Sequence, residues 1–176
     1  RIVILTALIL LIALLATAMC KTRVGATRPV VVFPEPTFVM YRMTSRVHGW
    51  EPVGVPLDEE WDLDCDAMAA TLERTKPNIV YYASPNNPTG NCFSRDRIER
   101  LVESFPDTLH VVDEAYGPYS GVSVATFSET HPQCALMGTL SKVGFAGIRV
   151  GWVRIDESLS PELEKVRQPF NLNTVS

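Results

Sequence analysis

Lys142 closes the stretch Thr139-Leu140-Ser141-Lys142, downstream of Ser84-Pro85-Asn86-Asn87-Pro88-Thr89-Gly90 and of Asp113-Glu114-Ala115-Tyr116. The three segments together offer an amine that can form a Schiff base, a carboxylate that can keep a ring nitrogen protonated, and neutral donors for a phenolic oxygen. A lysine ammonium, with its ordinary pKa of about 10.4, is a poor nucleophile. As an imine to an aldehyde the same nitrogen becomes part of an electrophile that an incoming amine displaces, and the freed amine can then act as the base of a 1,3-proton shift.

Asp113 follows the apolar Leu109-His110-Val111-Val112, so its carboxylate falls at the buried end of a strand, where an unpaired charge is costly. A protonated ring nitrogen is the partner such a group needs, and a cationic ring stabilises a carbanion formed next to it. Tyr116 comes three residues later, and with Asn87 it can reach a phenolic oxygen and favour its anion. Pro85 and Pro88 stiffen the Asn-Asn loop, and the Asn87-Pro88 bond is a candidate cis peptide. His48, His110 and His131 are scattered without a carboxylate or Cys at metal spacing, so no metal site is expected.

Placing these residues requires strands that deliver them to one edge. Short apolar or β-branched runs at Val30-Phe33, Pro52-Val55, Asn78-Ala83, Leu109-Asp113, Ala135-Gly138 and Val150-Ile155 are expected strands. Helical patterns cover Phe38-Arg46, Leu63-Glu73, Ser94-Ser104 and Pro161-Arg167, with acidic or Ser residues at several starts. Strand followed by helix, repeated, predicts an α/β fold of three layers, α/β/α, around a mainly parallel sheet. In such sheets ligands bind beyond the carboxyl ends of the strands, and Asn87, Asp113 and Lys142 each follow or end one.

With these residues in hand, the chain resembles the fold-type I pyridoxal-phosphate (PLP) dependent aminotransferases and, among them, the histidinol-phosphate aminotransferases. The narrower likeness rests on Phe33-Pro34-Glu35-Pro36-Thr37-Phe38-Val39-Met40-Tyr41-Arg42, Trp61-Asp62-Leu63-Asp64, Ser84 to Gly90, and Val166-Arg167-Gln168-Pro169-Phe170-Asn171-Leu172-Asn173. The resemblance implies PLP as cofactor, Lys142 as its Schiff-base lysine, Asp113 at the pyridine nitrogen, and Asn87 and Tyr116 at the phenolic oxygen. It places Phe38 as the aromatic that stacks on the ring, and Thr139, Ser141 and Arg149 at the phosphate. Glu35, Tyr41 and Arg42 are read as helix support.

One departure accompanies the likeness. The family carries a Gly-Ser-Asp-Glu type segment at the start of the first large-domain helix, where backbone amides hold the phosphate, whereas the corresponding place here is Ile4-Leu5-Thr6-Ala7. The resemblance also implies that residues 1–176 form part of the cofactor-binding large domain, with an N-terminal arm and a C-terminal small domain outside this chain. The reaction it implies is transfer of an amino group between L-histidinol phosphate and 2-oxoglutarate, in a homodimer. Another small-molecule aminotransferase, a PLP decarboxylase of the same superfamily, and a catalytically empty remnant are the other readings.

Composition narrows the classes further. With 176 residues, 46% hydrophobic and 20% charged, the chain can bury one full core and is expected to be one domain. A formal net charge of −4 with scattered Lys and Arg argues against nucleic acid as a partner. Cys20, Cys65, Cys92 and Cys134 lie far apart with no C-x-x-C spacing, which suits a reducing cytoplasm. Ile2 to Cys20 is an uncharged run of 19 residues between Arg1 and Lys21. The resemblance makes these residues a buried helix beneath the sheet, with Leu8 to Lys21 aligned to that helix, while a membrane span and a secretory signal are the other readings of the same residues.

Overall fold

The computed structural model describes residues 1–6 and 8–169. The expected family segment from Phe170 to Asn173 therefore lies outside the described residues. One sheet organises the molecule, from strands β1 (Ile2–Thr6), β2 (Val30–Glu35), β3 (Glu51–Pro56), β4 (Ile79–Ala83), β5 (Leu109–Asp113), β6 (Cys134–Thr139) and β7 (Val150–Arg154). Their spatial order is β1-β7-β6-β5-β4-β2-β3. From β3 across to β6 all neighbours are parallel, while β7 runs antiparallel to both β6 and β1.

The central strands are apolar on both faces because helices cover both. Side chains alternate along a strand, so Val31 and Phe33 of β2, Ile79 and Tyr81 of β4, and Ala135 and Met137 of β6 point to one face. There they meet Leu11, Leu14 and Leu15 of α1 (Leu8–Ala18), Tyr41 of α2 (Met40–Val47) and Leu163 of α6 (Ser160–Val166). Val32, Val80, Tyr82, Val112 and Leu136 point the other way. They pack on Met68 and Leu72 of α3 (Cys65–Thr75), Ile98 and Leu101 of α4 (Arg95–Ser104) and Phe127 of α5 (Ala125–Thr130). The result is the three-layer α/β/α arrangement of a mainly parallel sheet.

Local sequence accounts for the helix starts. The Asp64 carboxylate accepts the Ala67 N–H at 2.9 Å and caps α3. Ser94 precedes α4 but does not cap it with its side chain; its hydroxyl donates to Asp62 Oδ2 at 2.5 Å, and its N–H to Asp62 Oδ1 at 3.1 Å. Arg97 of α4 reaches Asp58 at 2.5 Å, so the turn after β3 is tied to α4 from both sides. Gly138 on β6 is needed for close approach, because a Cβ there would lie 2.6 Å from the Trp152 ring on the paired strand β7.

The alignment of Leu8 to Lys21 with a buried helix agrees with α1, but the expectation that the whole run from Ile2 is helical is corrected. Its first part is strand β1, paired antiparallel with β7 from Ile2↔Arg154 to Thr6↔Val150, and only Leu8–Ala18 is helical. Val3 is buried in the same cluster as Leu11 and Leu15. Among the described residues no helix is long and apolar enough to cross a membrane.

Candidate active site

The parallel register of β4, β5 and β6 brings three chain segments to one edge. Past the strand ends the ladder continues: the Ser84 N–H donates to the Asp113 carbonyl at 2.9 Å, and the Glu114 N–H to the Met137 carbonyl at 2.8 Å. The loops that follow then converge on a pocket lined by Phe38, Asn87, Asp113, Tyr116 and Lys142, with Leu8, Ala83, Pro85 and Ala115 completing the wall. Five of the residues singled out in the sequence thus share one cavity at the carboxyl ends of the strands.

The segments that carry these residues are tied to their surroundings. Asn86 is buried and staples the Pro-rich loop: its side-chain amide donates to the Pro36 carbonyl at 2.9 Å and to Thr89 Oγ1 at 2.8 Å, while its oxygen accepts from Thr37 Oγ1 at 2.8 Å. That division of labour explains the Asn-Asn pair, since Asn86 anchors the loop and leaves Asn87 at the pocket. The Asn87-Pro88 peptide is cis, as expected. Lys142 ends the 3-10 turn Leu140–Lys142 directly after β6, with Nζ 5.0 Å from the centre of the Tyr116 ring. The Tyr119 hydroxyl donates to the Lys142 carbonyl and ties that turn to the Gly117–Tyr119 turn after β5.

Asp113 is 3% exposed. Its Oδ1 accepts the Ala115 N–H at 3.0 Å and its Oδ2 accepts the Tyr41 hydroxyl at 2.6 Å. Burial pushes its pKa up to about 6, against the pull of those two hydrogen bonds and the weaker attraction of Lys142. A carboxylate this dry gives up its charge at mildly acidic pH, and a cationic N–H arriving in the pocket would hold it ionised. Tyr41 is the residue that sequence reasoning missed, having been read as helix support. The available signal was its spacing from Phe38, one helical turn, which lets the two rings meet edge to face at 5.6 Å.

The residues expected at a phosphate are not gathered into this pocket. Thr139 Oγ1 donates to the Val150 carbonyl at 2.9 Å and accepts the Ser141 N–H at 3.1 Å, so the hydroxyl caps its own turn. Thr139 lines a separate cavity with Glu114, Leu140 and Trp152. Arg149 is exposed, in a left-handed conformation at φ 60°, with Nη1 3.3 Å from the Ala146 carbonyl. At the start of α1, Leu8 contributes an apolar side chain to the pocket wall.

The donor set therefore fits the ring and aldehyde side of PLP: an amine, a buried carboxylate, two neutral donors and an aromatic platform lie around one cavity. A model of class I and II aminotransferases matches residues 10–176. The chain belongs to that aminotransferase family. Among curated members it is 42% identical over 146 residues to histidinol-phosphate aminotransferase 2 of Nitrosococcus oceani, covering 83% of this chain and 40% of that protein. It is 40% identical over 168 residues to the histidinol-phosphate aminotransferase of Polaromonas naphthalenivorans, covering 94% and 45%. The chain thus spans less than half the length of these aminotransferases.

The fold agrees with that placement. The histidinol-phosphate aminotransferase of Clostridium acetobutylicum superposes with a TM-score of 0.86 at 18% identity, over 99% of this chain and 51% of that one. The Sinorhizobium meliloti enzyme, solved in complex with pyridoxal-5'-phosphate, gives 0.85 at 23% identity over 99% and 47%. An L-threonine-O-3-phosphate decarboxylase of Porphyromonas gingivalis gives 0.79 at 19% identity, so the aminotransferase fold alone does not select the reaction.

Proposed function

We propose that this chain is part of the cofactor-binding large domain of a PLP-dependent aminotransferase that moves an amino group between L-histidinol phosphate and 2-oxoglutarate. The observation that carries the reading is the single pocket that joins Lys142, Asp113, Asn87, Tyr116 and Phe38. The similarity, at about 40% identity, to two histidinol-phosphate aminotransferases supports the choice of amino donor. PLP supplies, when bound, an aldehyde that condenses with amines and a ring that takes up electron density from the bond being broken.

The chain's own residues would act as follows. Asp113 holds the ring nitrogen's proton by a charge-assisted hydrogen bond, oriented by Ala115 N–H and Tyr41. Phe38 would supply an aromatic platform for the ring, and Asn87 and Tyr116 would be the neutral donors for its phenolic oxygen. Lys142 would be the amine that holds the aldehyde end of the cofactor, and as a free amine it would be the base that takes up and returns the substrate's α-proton. The large domain would act in a cytoplasmic homodimer, with substrate-reading groups outside this chain.

The test is amino transfer by the full-length protein from L-histidinol phosphate to 2-oxoglutarate, set against other amino acids and against carbon dioxide release from phosphorylated amino acids. Transfer favouring L-histidinol phosphate supports the reading. Carbon dioxide release without transfer would replace it with a decarboxylase, and neither product would point to a remnant.

A further inference from the structure

Tyr41 has no exposed surface, and its hydroxyl donates to Asp113 Oδ2 at 2.6 Å. Its ring lies parallel to that of Tyr81 at 4.6 Å and meets Phe38 edge on at 5.6 Å, with Phe33 at 6.3 Å. Filling this space requires only a phenylalanine. The hydroxyl is an added polar atom in a dry site, and the carboxylate is the acceptor that removes its desolvation cost.

We propose that Tyr41 is a positioning residue of the site: its hydroxyl fixes the Asp113 carboxylate in its ionised, pocket-facing orientation, and its ring sets the height of the Phe38 platform. The inference rests on the aminotransferase reading given above and extends it to a residue that does not itself line the pocket. Two walls of the ring site, the carboxylate from β5 and the aromatic before α2, are then coupled through one side chain rather than placed independently.

The charged and titratable groups around Asp113 let this be read by pH. Tyr41 faces it from α2, Tyr81 from β4, Glu114 from the adjacent position, and Lys142 from the turn after β6. Tyr41 and Lys142 favour the carboxylate, Glu114 opposes it, and burial opposes it most. A ring nitrogen that carries a proton binds the ionised carboxylate, so cofactor retention should fall with pH as Asp113 becomes protonated. Without the Tyr41 hydroxyl that fall should begin at higher pH.

The experiment compares the full chain with Tyr41→Phe, Asp113→Asn and the double variant. Each is titrated with PLP across pH 5 to 8.5 and scored by borohydride-trapped adduct at Lys142, with far-ultraviolet circular dichroism as a check on folding. Tyr41→Phe is expected to fold, to raise the midpoint by about one pH unit and to weaken retention about tenfold at pH 7. On the Asp113→Asn background the same change should cost less than about threefold, because its route of action is already gone. An unmoved midpoint, equal losses on both backgrounds, or a Tyr41→Phe chain that does not fold would each overturn the proposal. Absence of any adduct at Lys142 in the unsubstituted chain would instead sink the aminotransferase reading itself.

Discussion

Asp113, proposed to meet the cofactor ring, and Thr139, Ser141 and Arg149, proposed for its phosphate, are built into the fold differently. Asp113 ends a strand whose five residues are all buried, and its two oxygens are held at 2.6 and 3.0 Å before any ligand arrives. Thr139, Ser141 and Arg149 lie where strand gives way to short 3-10 turns, and Thr139 and Arg149 bond their own neighbourhood instead of the cavity. A group fixed by a two-sided sheet is positioned by the core, whereas a group on a turn is positioned by whatever hydrogen bond is nearest. Asp113 is thus held in place by the core, whereas Thr139 and Arg149 are held by local bonds of their own turns.

The sharpest way to break this comparison is at Lys142. Lys142→Ala should remove the trapped adduct altogether and lower amino transfer by about a thousandfold, measured by single-turnover absorbance, since it removes the proton-moving amine as well as the attachment point. Asp113→Ala comes next. Cofactor retention should fall between tenfold and a hundredfold, roughly the worth of a hydrogen bond to a charged group. Thermal unfolding should also show a loss of about 1–3 kcal/mol, because the Tyr41 hydroxyl is left buried without its acceptor.

A third effect concerns the cofactor-free protein. The folded pKa of Asp113, about 6, lies above the ordinary value of 3.8, so the native state holds a proton that the unfolded chain has released. Its contribution to stability is complete below pH 3.8 and is lost as pH rises through about 6, amounting to about 3 kcal/mol. Denaturant unfolding at pH 5 and pH 7.5 should show about half of that loss, roughly 1.4 kcal/mol, in the unsubstituted chain and a flatter dependence in Asp113→Asn. The smallest effect is expected at the residues proposed for the phosphate. Arg149→Ala should change PLP retention by less than about threefold, as befits an exposed charge, and a larger loss would mean that Arg149 moves to the ligand.

That Phe38, Asn87, Asp113, Tyr116 and Lys142 share one cavity was legible in the sequence, because most of them follow or end strands of one parallel sheet. A carboxylate at the end of a buried strand carries a local cost that asks for a partner, while Lys142 and the Pro-bracketed Asn pair stood out through their place after strands and through the family resemblance. Tyr41 was not legible, because a tyrosine on the inner face of a helix looks like packing until the sheet brings Asp113 within 2.6 Å of it, across 72 residues of chain. Nor was β1. Ile2–Thr6 and Leu8–Ala18 form one continuous apolar run without a Gly or Pro between them, and hydrophobicity alone cannot divide a buried strand from a buried helix. The pairing of β1 with β7 settles the division, and that partner lies almost the whole chain away. Asn86 and Asn87 were visible as a pair, but which one anchors and which one faces the cavity depended on Pro36 and Thr37 arriving from β2's end.

The most direct test is reductive trapping of PLP on the full chain at pH 7.5 with peptide mass mapping of all four lysines, Lys21, Lys76, Lys142 and Lys165. The account predicts that Lys142 is modified first and at the lowest cofactor concentration, and that the other three label equally slowly with and without Lys142→Ala. Equal labelling of all four, or preferential labelling elsewhere, would contradict it.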